Sequence, residues 1–260
     1  MRKTIPVTFG DNVLNFTLPD AWDKLEQWQL RYVCYAMSHF DTIAAKTYIF
    51  IRLLNITVIS KQKNGWTCSV RIKRKKVRFF IELWQLQSFL RMLDFIDVPG
   101  TTPICLQQIG RLKAVNVLLH MVPFKIYIDL ENYYQGYLHT HDSTHLQSMG
   151  ILLYVDENGT HPDTVDFTDA ELLSIFLWFA ALKNRFAILF SHFFHHPDSE
   201  TDTEGAINMI DVMNAEIRAL TGGDITKENQ VLNMDCWRAL TELNEKAREA
   251  KEMNEKYGHK

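Results

Sequence analysis

The sequence predicts an α+β fold that is predominantly helical, with two small β-hairpins in the N-terminal part and a helical C-terminal arm. Two observations support this prediction. Apolar residues alternate at period two only in short runs of the N-terminal third, whereas helical spacing of apolar residues dominates the remainder. The 260 residues are 47% hydrophobic and 23% charged, with only 11 Gly and 7 Pro, which is the composition of an ordinary globular chain.

The first predicted elements are a hairpin and a helix. Residues 5–9 and 13–18 alternate apolar and polar side chains, and residues 10–12 (Gly-Asp-Asn) join them as a tight turn. After this hairpin, Asp20 can cap the free backbone amides of a helix. Apolar residues near helical spacing extend that helix to about Phe40.

A second helix, a second hairpin and a third helix complete the N-terminal part. The second helix follows Asp41. Residues 66–72 and 77–81 are rich in β-branched and aromatic residues, and residues 73–76 form the turn between them. Residues 82–96 place most of their leucines and phenylalanines on one face, which predicts a helix that ends before Pro99.

Helices are also predicted for the second half of the chain. Residues 123–140 fit a helix, although residues 124–132 also alternate as a strand would; residues 145–154 look like an antiparallel partner, which favours the helix. Thr168 and Glu171 form a capping box before a long apolar helix.

The predicted organisation is a mixed α/β body over residues 1–196, a polar linker over residues 197–205, and a charged helical arm over residues 206–260. Within the arm, a helix over residues 226–257 has a narrow apolar seam that is too thin for a globular core but suits pairing with another helix. We therefore predict a partner-binding seam consisting of Cys236, Leu240, Leu243, Ala247 and Ala250.

Composition argues against several classes of protein. The net charge of −3 gives no global attraction for nucleic acid or an anionic membrane. The four cysteines contain no CxxC pair and indicate neither a disulfide scaffold nor a zinc site. The apolar run over residues 172–194 is interrupted by Lys183, Asn184 and Arg185, so it predicts a buried helix rather than a membrane span. The N-terminus lacks the apolar region of a signal peptide, and we expect a cytoplasmic protein.

The turn of the second hairpin is strongly basic. No acidic residue lies between Lys61 and Ile81, and Trp66 and Phe79 lie nearby for stacking on bases. A basic tip of this kind predicts a weak contact with nucleic-acid phosphates, against the alternative of a merely solvated charge run. The predicted contact residues are Arg71, Lys73, Arg74, Lys75, Lys76 and Arg78.

Two histidine clusters invite a metal site, but their spacing matches no metal-binding motif, and we predict no metal and no cofactor. The clusters are His139, His141 and His145, and His192, His195 and His196. The sequence leaves open whether the two clusters meet. No GxSxG, P-loop or GxGxxG motif occurs, so the chain is predicted not to be an enzyme, and a metal-dependent hydrolase is the least favoured alternative.

Three stretches resemble the tail-assembly-chaperone-like structural proteins of tailed phages and prophages in Bacteroides-type hosts: residues 18–30, residues 124–155 and residues 217–256. The resemblance implies a non-enzymatic tail-assembly protein that binds a tape-measure or tail-tube protein through helical faces, in the host cytoplasm or the virion. The basic hairpin has no counterpart in that family. It leaves open the alternative of a virion connector component in contact with DNA.

Overall fold

The computed structural model describes residues 3–9, 12–72, 74–194 and 209–257. The predicted fold class, α+β and predominantly helical, is confirmed. The chain divides into two compact units, each with its own buried core. Unit 1 consists of residues 1–100 and 168–177, and unit 2 consists of residues 101–167 and 178–260.

The strands of unit 1 confirm the first hairpin and enlarge the second. Strands β1 (Lys3–Phe9) and β2 (Asn12–Leu18) pair antiparallel. Strands β3 (Ile56–Gln62), β4 (Gly65–Ile72) and β5 (Lys75–Glu82) form an antiparallel sheet in the order β3-β4-β5. The sequence did not predict β3, because five of its seven residues are exposed and it lacks a clear apolar alternation.

Three helices of unit 1 are α1 (Gln27–His39), α2 (Thr42–Leu53) and α3 (Leu83–Met92). The prediction that Asp20 caps α1 is wrong, because its carboxylate binds Lys24 at 2.8 Å and only a single 3-10 turn follows it. The predicted helix after Asp41 is confirmed, and Asp41 Oδ1 caps it by accepting hydrogen bonds from the amides of Ile43 and Ala44.

Helices α1 and α3 begin with the same short sequence, E-x-W-Q-L, over residues 26–30 and 82–86. In both, the first Glu and the Gln three residues later form a capping box, and the indole N–H of the Trp donates to that Glu. Each copy follows an antiparallel strand pair. Two helices of unit 1 therefore begin with the same capping motif, which the sequence analysis missed.

Unit 2 is built around a pair of antiparallel helices and a long apolar helix. Helices α4 (Phe124–Thr140) and α5 (Ser143–Leu153) confirm the predicted pair. A Cβ atom on Gly136 would lie 2.7 Å from the His145 ring, so only glycine permits this close approach of the helices. The short strands β6 (Gln108–Ile109), β7 (Leu112–Ala114) and β8 (Tyr154–Val155) form a small sheet. Helix α6 (Asp169–Leu189) contributes its first turns to unit 1 and the remainder to unit 2.

The C-terminal helices are α7 (Met209–Thr221), α8 (Glu228–Leu232) and α9 (Cys236–Tyr257), all of which belong to unit 2. Gly222 and Gly223 end α7 as predicted, at φ values of +64° and +84° that favour glycine. The single helix predicted over residues 226–257 is wrong, because the chain breaks between α8 and α9. The predicted linker over residues 197–205 lies outside the described residues.

Candidate functional site

Helix α9 is fixed to unit 2 by its first turn. The amide of Cys236 donates to the Val122 carbonyl at 2.8 Å, and the amide of Phe124 donates to the Met234 carbonyl at 2.7 Å. The Trp237 indole donates to the Leu118 carbonyl. These bonds join the start of α9 to the start of α4, and they explain why the chain interrupts its helix just before residue 236.

The predicted partner-binding seam divides into two parts. Cys236, Leu240 and Leu243 are at most 3% exposed and lie in the core of unit 2. The prediction that these three residues bind a partner is corrected accordingly: they pack against the chain's own helices. Ala247 is half-buried and Ala250 is exposed, so only these two seam residues are accessible at the surface.

Beyond the core, α9 continues as an exposed rod. Among the described residues, the last α9 side chain to hydrogen-bond the rest of unit 2 is Asn244, whose Oδ1 accepts from the amides of His192 and Phe193 at 3.0 and 3.2 Å. All nine residues from 249 to 257 are exposed, although they occupy every side of the helix. We call residues 247–257 the projecting half of α9.

The apolar seam continues through the projecting half. Its positions are 247, 250, 254 and 257, at steps of three, four and three residues, which is the spacing of a coiled-coil seam; Ala247, Ala250 and Tyr257 carry its apolar groups, and Asn254 is a polar residue within it. Met253, 61% exposed, lies beside the seam, and Tyr257 is 73% exposed. Sequence analysis missed these last members because it ended the seam at residue 250.

The flanks of this seam are basic. A helical turn of 100° per residue places Lys246 on one side and Lys251 on the other, next to the seam. Glu245, Glu249 and Glu252 lie on the opposite face. Lys246, just before the projecting half, also pairs with Glu242 at 3.6 Å, and Glu255 lies near Lys251. The seam therefore has one lysine on each side, with Glu245, Glu249 and Glu252 at the back.

The second candidate surface is the basic end of the β4–β5 pair. Arg71, Arg74, Lys75, Lys76 and Arg78 are all exposed, and Lys73 lies outside the described residues. The prediction that residues 73–76 form the turn is partly wrong, because β5 already begins at Lys75. Among the described residues, no ion pair involves these five side chains.

The histidines of the first cluster serve as helix-end residues. His141 has a left-handed φ of +56° after the last residue of α4, and His145 of α5 packs against Tyr133 of α4. Within residues 3–9, 12–72, 74–194 and 209–257, no group of three or more His, Cys, Asp or Glu side chains could hold a metal ion. His195 and His196 lie outside these ranges, so the structure does not place the second cluster.

The cysteines carry no activated thiol. All four are buried and free. Burial raises the pKa of the Cys34 and Cys105 thiols to about 12 and that of Cys68 to about 11. Burial also raises the pKa of Cys236, with the charge of Asp235 adding to the effect. A nucleophilic cysteine needs a lowered pKa, so these residues have the character of core side chains.

A buried charge cluster joins three helices of unit 2. Glu131 of α4 accepts hydrogen bonds from Lys183 of α6 and from Gln135, while its second oxygen, Oε2, is buried and has no hydrogen-bond partner among the described residues. Burial, and then the charge of Glu131, raises the pKa of Glu216 on α7 to about 7. The cluster therefore carries a carboxyl group that titrates near neutral pH.

Helix α6 is the strongest candidate for a membrane span by length and composition, with a mean hydropathy of 1.6. Of its most apolar window, 56% is buried inside the protein. Trp178, Phe179, Leu182 and Phe186 are among its fully buried side chains. The burial of these side chains agrees with the predicted buried helix.

Comparisons with known proteins do not identify the chain. No family model, no curated protein and no solved structure matches it. The resemblance to phage tail-assembly proteins therefore stays a prediction.

Proposed function

We propose that this protein is a non-enzymatic assembly protein of a tailed phage, acting in the host cytoplasm, and that the projecting half of α9 pairs with a helix of a tape-measure or tail-tube protein. The observation that carries the proposal is the exposure of residues 249–257 on all sides of a helix that still presents a seam. An exposed amphipathic helix of this kind is a recurrent element of helix pairing. The tail-assembly context comes from the sequence resemblance.

The flanking charges indicate the kind of partner. Lys246 and Lys251 would face the positions of a paired helix that flank its own apolar seam. A partner with Glu or Asp at those positions gains attraction, whereas a second copy of α9 brings lysine against lysine. The proposed partner is therefore a different helix with an apolar seam and acidic flanks.

Co-expression with a tape-measure protein of a Bacteroides-type tailed phage tests the proposal. The two proteins are expected to co-elute in size-exclusion chromatography. Ala250→Glu places a charge in the seam and should abolish co-elution, whereas Ala250→Leu widens the seam and should preserve it. Lys251→Glu should weaken the complex, and Glu249→Lys, a charge reversal on the back of the helix, serves as the matched control.

Three results would overturn the proposal. Co-elution that survives Ala250→Glu would show that α9 is not part of the interface. If this chain alone forms a dimer and Ala250→Glu converts it to a monomer, the projecting half of α9 pairs with a second copy of the chain instead. A gene neighbourhood of metabolic enzymes, together with turnover of a small molecule that one polar substitution abolishes, would replace an assembly role with an enzymatic one.

A further inference from the structure

The end of the β4–β5 pair forms a two-stranded ribbon. Strand β3 pairs with β4 only as far as Val70, opposite Ile56, whereas β4 and β5 continue to pair through Arg71–Lys76 and Ile72–Lys75. We call Arg71, Ile72, Arg74, Lys75 and Lys76 the ribbon. Its described residues are all exposed, including Ile72 at 40%. The ribbon is thus two strands wide where the rest of the sheet has three.

The ribbon carries cations on both faces. Arg71 and Lys76 are opposite each other in the register, and Arg78 follows two residues later on the same face, about 7 Å away along the strand. Lys75 lies on the other face, because successive side chains of a strand alternate. Arg74 lies at the turn between the strands.

We infer that the ribbon binds double-stranded DNA by entering a groove between two phosphate backbones. The major groove of B-DNA, about 12 Å wide, admits a two-stranded ribbon. Its two walls are both lined with phosphates, which matches a ribbon with cations on both faces. A flat anionic membrane would contact one face of the ribbon and would leave Lys75, on the other face, without a partner. The deep, narrow major groove of duplex RNA does not admit such an element.

Attraction between the ribbon cations and the DNA phosphates would supply most of the affinity. Each cation that neutralises a phosphate releases a counterion, so affinity falls steeply as salt rises. The net charge of the whole chain is −3, so attraction to DNA must come from a local group of cations. The ribbon and Arg78 provide that group, with no ion pair to any described acidic residue.

Fluorescence anisotropy of the full chain with a labelled DNA duplex of mixed sequence, at stepped salt concentrations, tests the inference. The variant with Arg71→Gln, Lys76→Gln and Arg78→Gln should bind more weakly and lower the salt slope by about 3, about 1 for each lost contact. The control variant carries Arg111→Gln, Lys113→Gln and Arg238→Gln, three exposed cations of unit 2. It has the same net charge and should bind as the parent does.

The comparison of ligands separates groove binding from general attraction. Duplex DNA should bind more tightly than duplex RNA, single-stranded DNA or phosphatidylserine vesicles. Equal binding of any of these ligands, equal loss in the two triple variants, or no binding at low salt would overturn the inference. Circular dichroism verifies that each variant is folded. Ala250→Glu should leave DNA binding unchanged, so failure of the ribbon and failure of α9 pairing give different results.

Discussion

The two halves of α9 share one apolar seam but differ in what covers it. In the first half, Leu240 and Leu243 are buried against the other helices of unit 2. In the projecting half, Ala250 and Tyr257 continue the same seam in solvent. The spacing of apolar residues thus identifies the face of a helix that pairs, whereas tertiary contacts alone decide which part pairs within the chain.

The residues also differ in size between the halves. Leucines in the buried half provide the large apolar area that stabilises a core, whereas alanines in the projecting half bury little area and keep a free surface soluble. A small seam with charged flanks suits reversible contact with a partner. The difference predicts distinct consequences for changes made in each half.

Truncation should give the largest difference between the halves. A chain that ends after Asp235 loses the buried residues of α9, and we expect unit 2 to lose its cooperative melting transition. A chain that ends after Arg248 should melt within about 2 °C of the parent, because exposed surface residues contribute little to stability. Differential scanning calorimetry measures both. Equal destabilisation by the two truncations would show that the projecting half also packs within the chain.

Single large-to-small substitutions sharpen the same comparison. Leu240→Ala removes a fully buried side chain and should lower the free energy of unfolding by about 2–5 kcal/mol. Met253→Ala, at a site 61% exposed, should change it by less than about 0.5 kcal/mol. Urea denaturation followed by circular dichroism gives both values. A small effect of Leu240→Ala would contradict its place in the core.

Local sequence signals predicted much of the fold. The first hairpin, the helix that follows Asp41 and the helix pair around residues 124–153 depend on residues close in sequence, and the structure confirms these elements. The start of α1 was mispredicted because the capping residue is Glu26, whose partner Gln29 completes a box without Ser, Thr or Asp at the cap. The E-x-W-Q-L repeat was present in the sequence and could have identified this start.

Features set by distant contacts could not be predicted. The break before α9 depends on backbone hydrogen bonds to Val122 and Phe124, more than a hundred residues earlier in the chain. Burial of Leu240 and Leu243 depends on the same docking, so the periodic pattern alone could not distinguish a core seam from a surface seam. The exposed basic residues beyond the turn were predictable as a group, but their arrangement on a ribbon required the register of β3 and β4.

The charge cluster beneath α7 makes unit 2 sensitive to pH. Burial raises the pKa of Glu216 from 4.5 to about 7, so the folded state binds this proton more tightly than the unfolded state. The free energy of unfolding should therefore be largest below about pH 4.5 and should fall as the pH rises from about 4.5 to about 7. Glu216→Gln should raise the melting temperature at about pH 8 and change it little at about pH 4.5. Glu249→Gln, at an exposed site, is the control.

An equal gain from Glu216→Gln at both pH values would contradict this account, because it would assign the effect to packing rather than to ionisation. The effect should be confined to unit 2. Because α7 packs against α9, hydrogen exchange in the buried half of α9 should slow at about pH 8 in this variant. Exchange in residues 249–257, which are exposed, should stay the same.

The smallest expected effect concerns how the projecting half stays helical. Arg248 donates hydrogen bonds to Glu245 at 2.7 and 2.9 Å and to Glu252 at 2.7 Å, along the exposed helix. A helix this short is marginal in water unless it continues an anchored one and gains such pairs. Arg248→Ala should speed amide exchange in residues 249–257 at low salt, and the difference should shrink at high salt because exposed ion pairs are screened.

The melting temperature and the exchange of residues 236–243 should not change in Arg248→Ala, since packing rather than charge holds the buried half. Lys256→Ala removes one exposed cation without a described ion pair and controls for net charge. Faster exchange in both halves would show that the two halves of α9 unfold together as one cooperative unit. Faster exchange in residues 249–257 alone shows that the projecting half is a separate, weakly stabilised helix, which a partner with acidic flanks would order on binding.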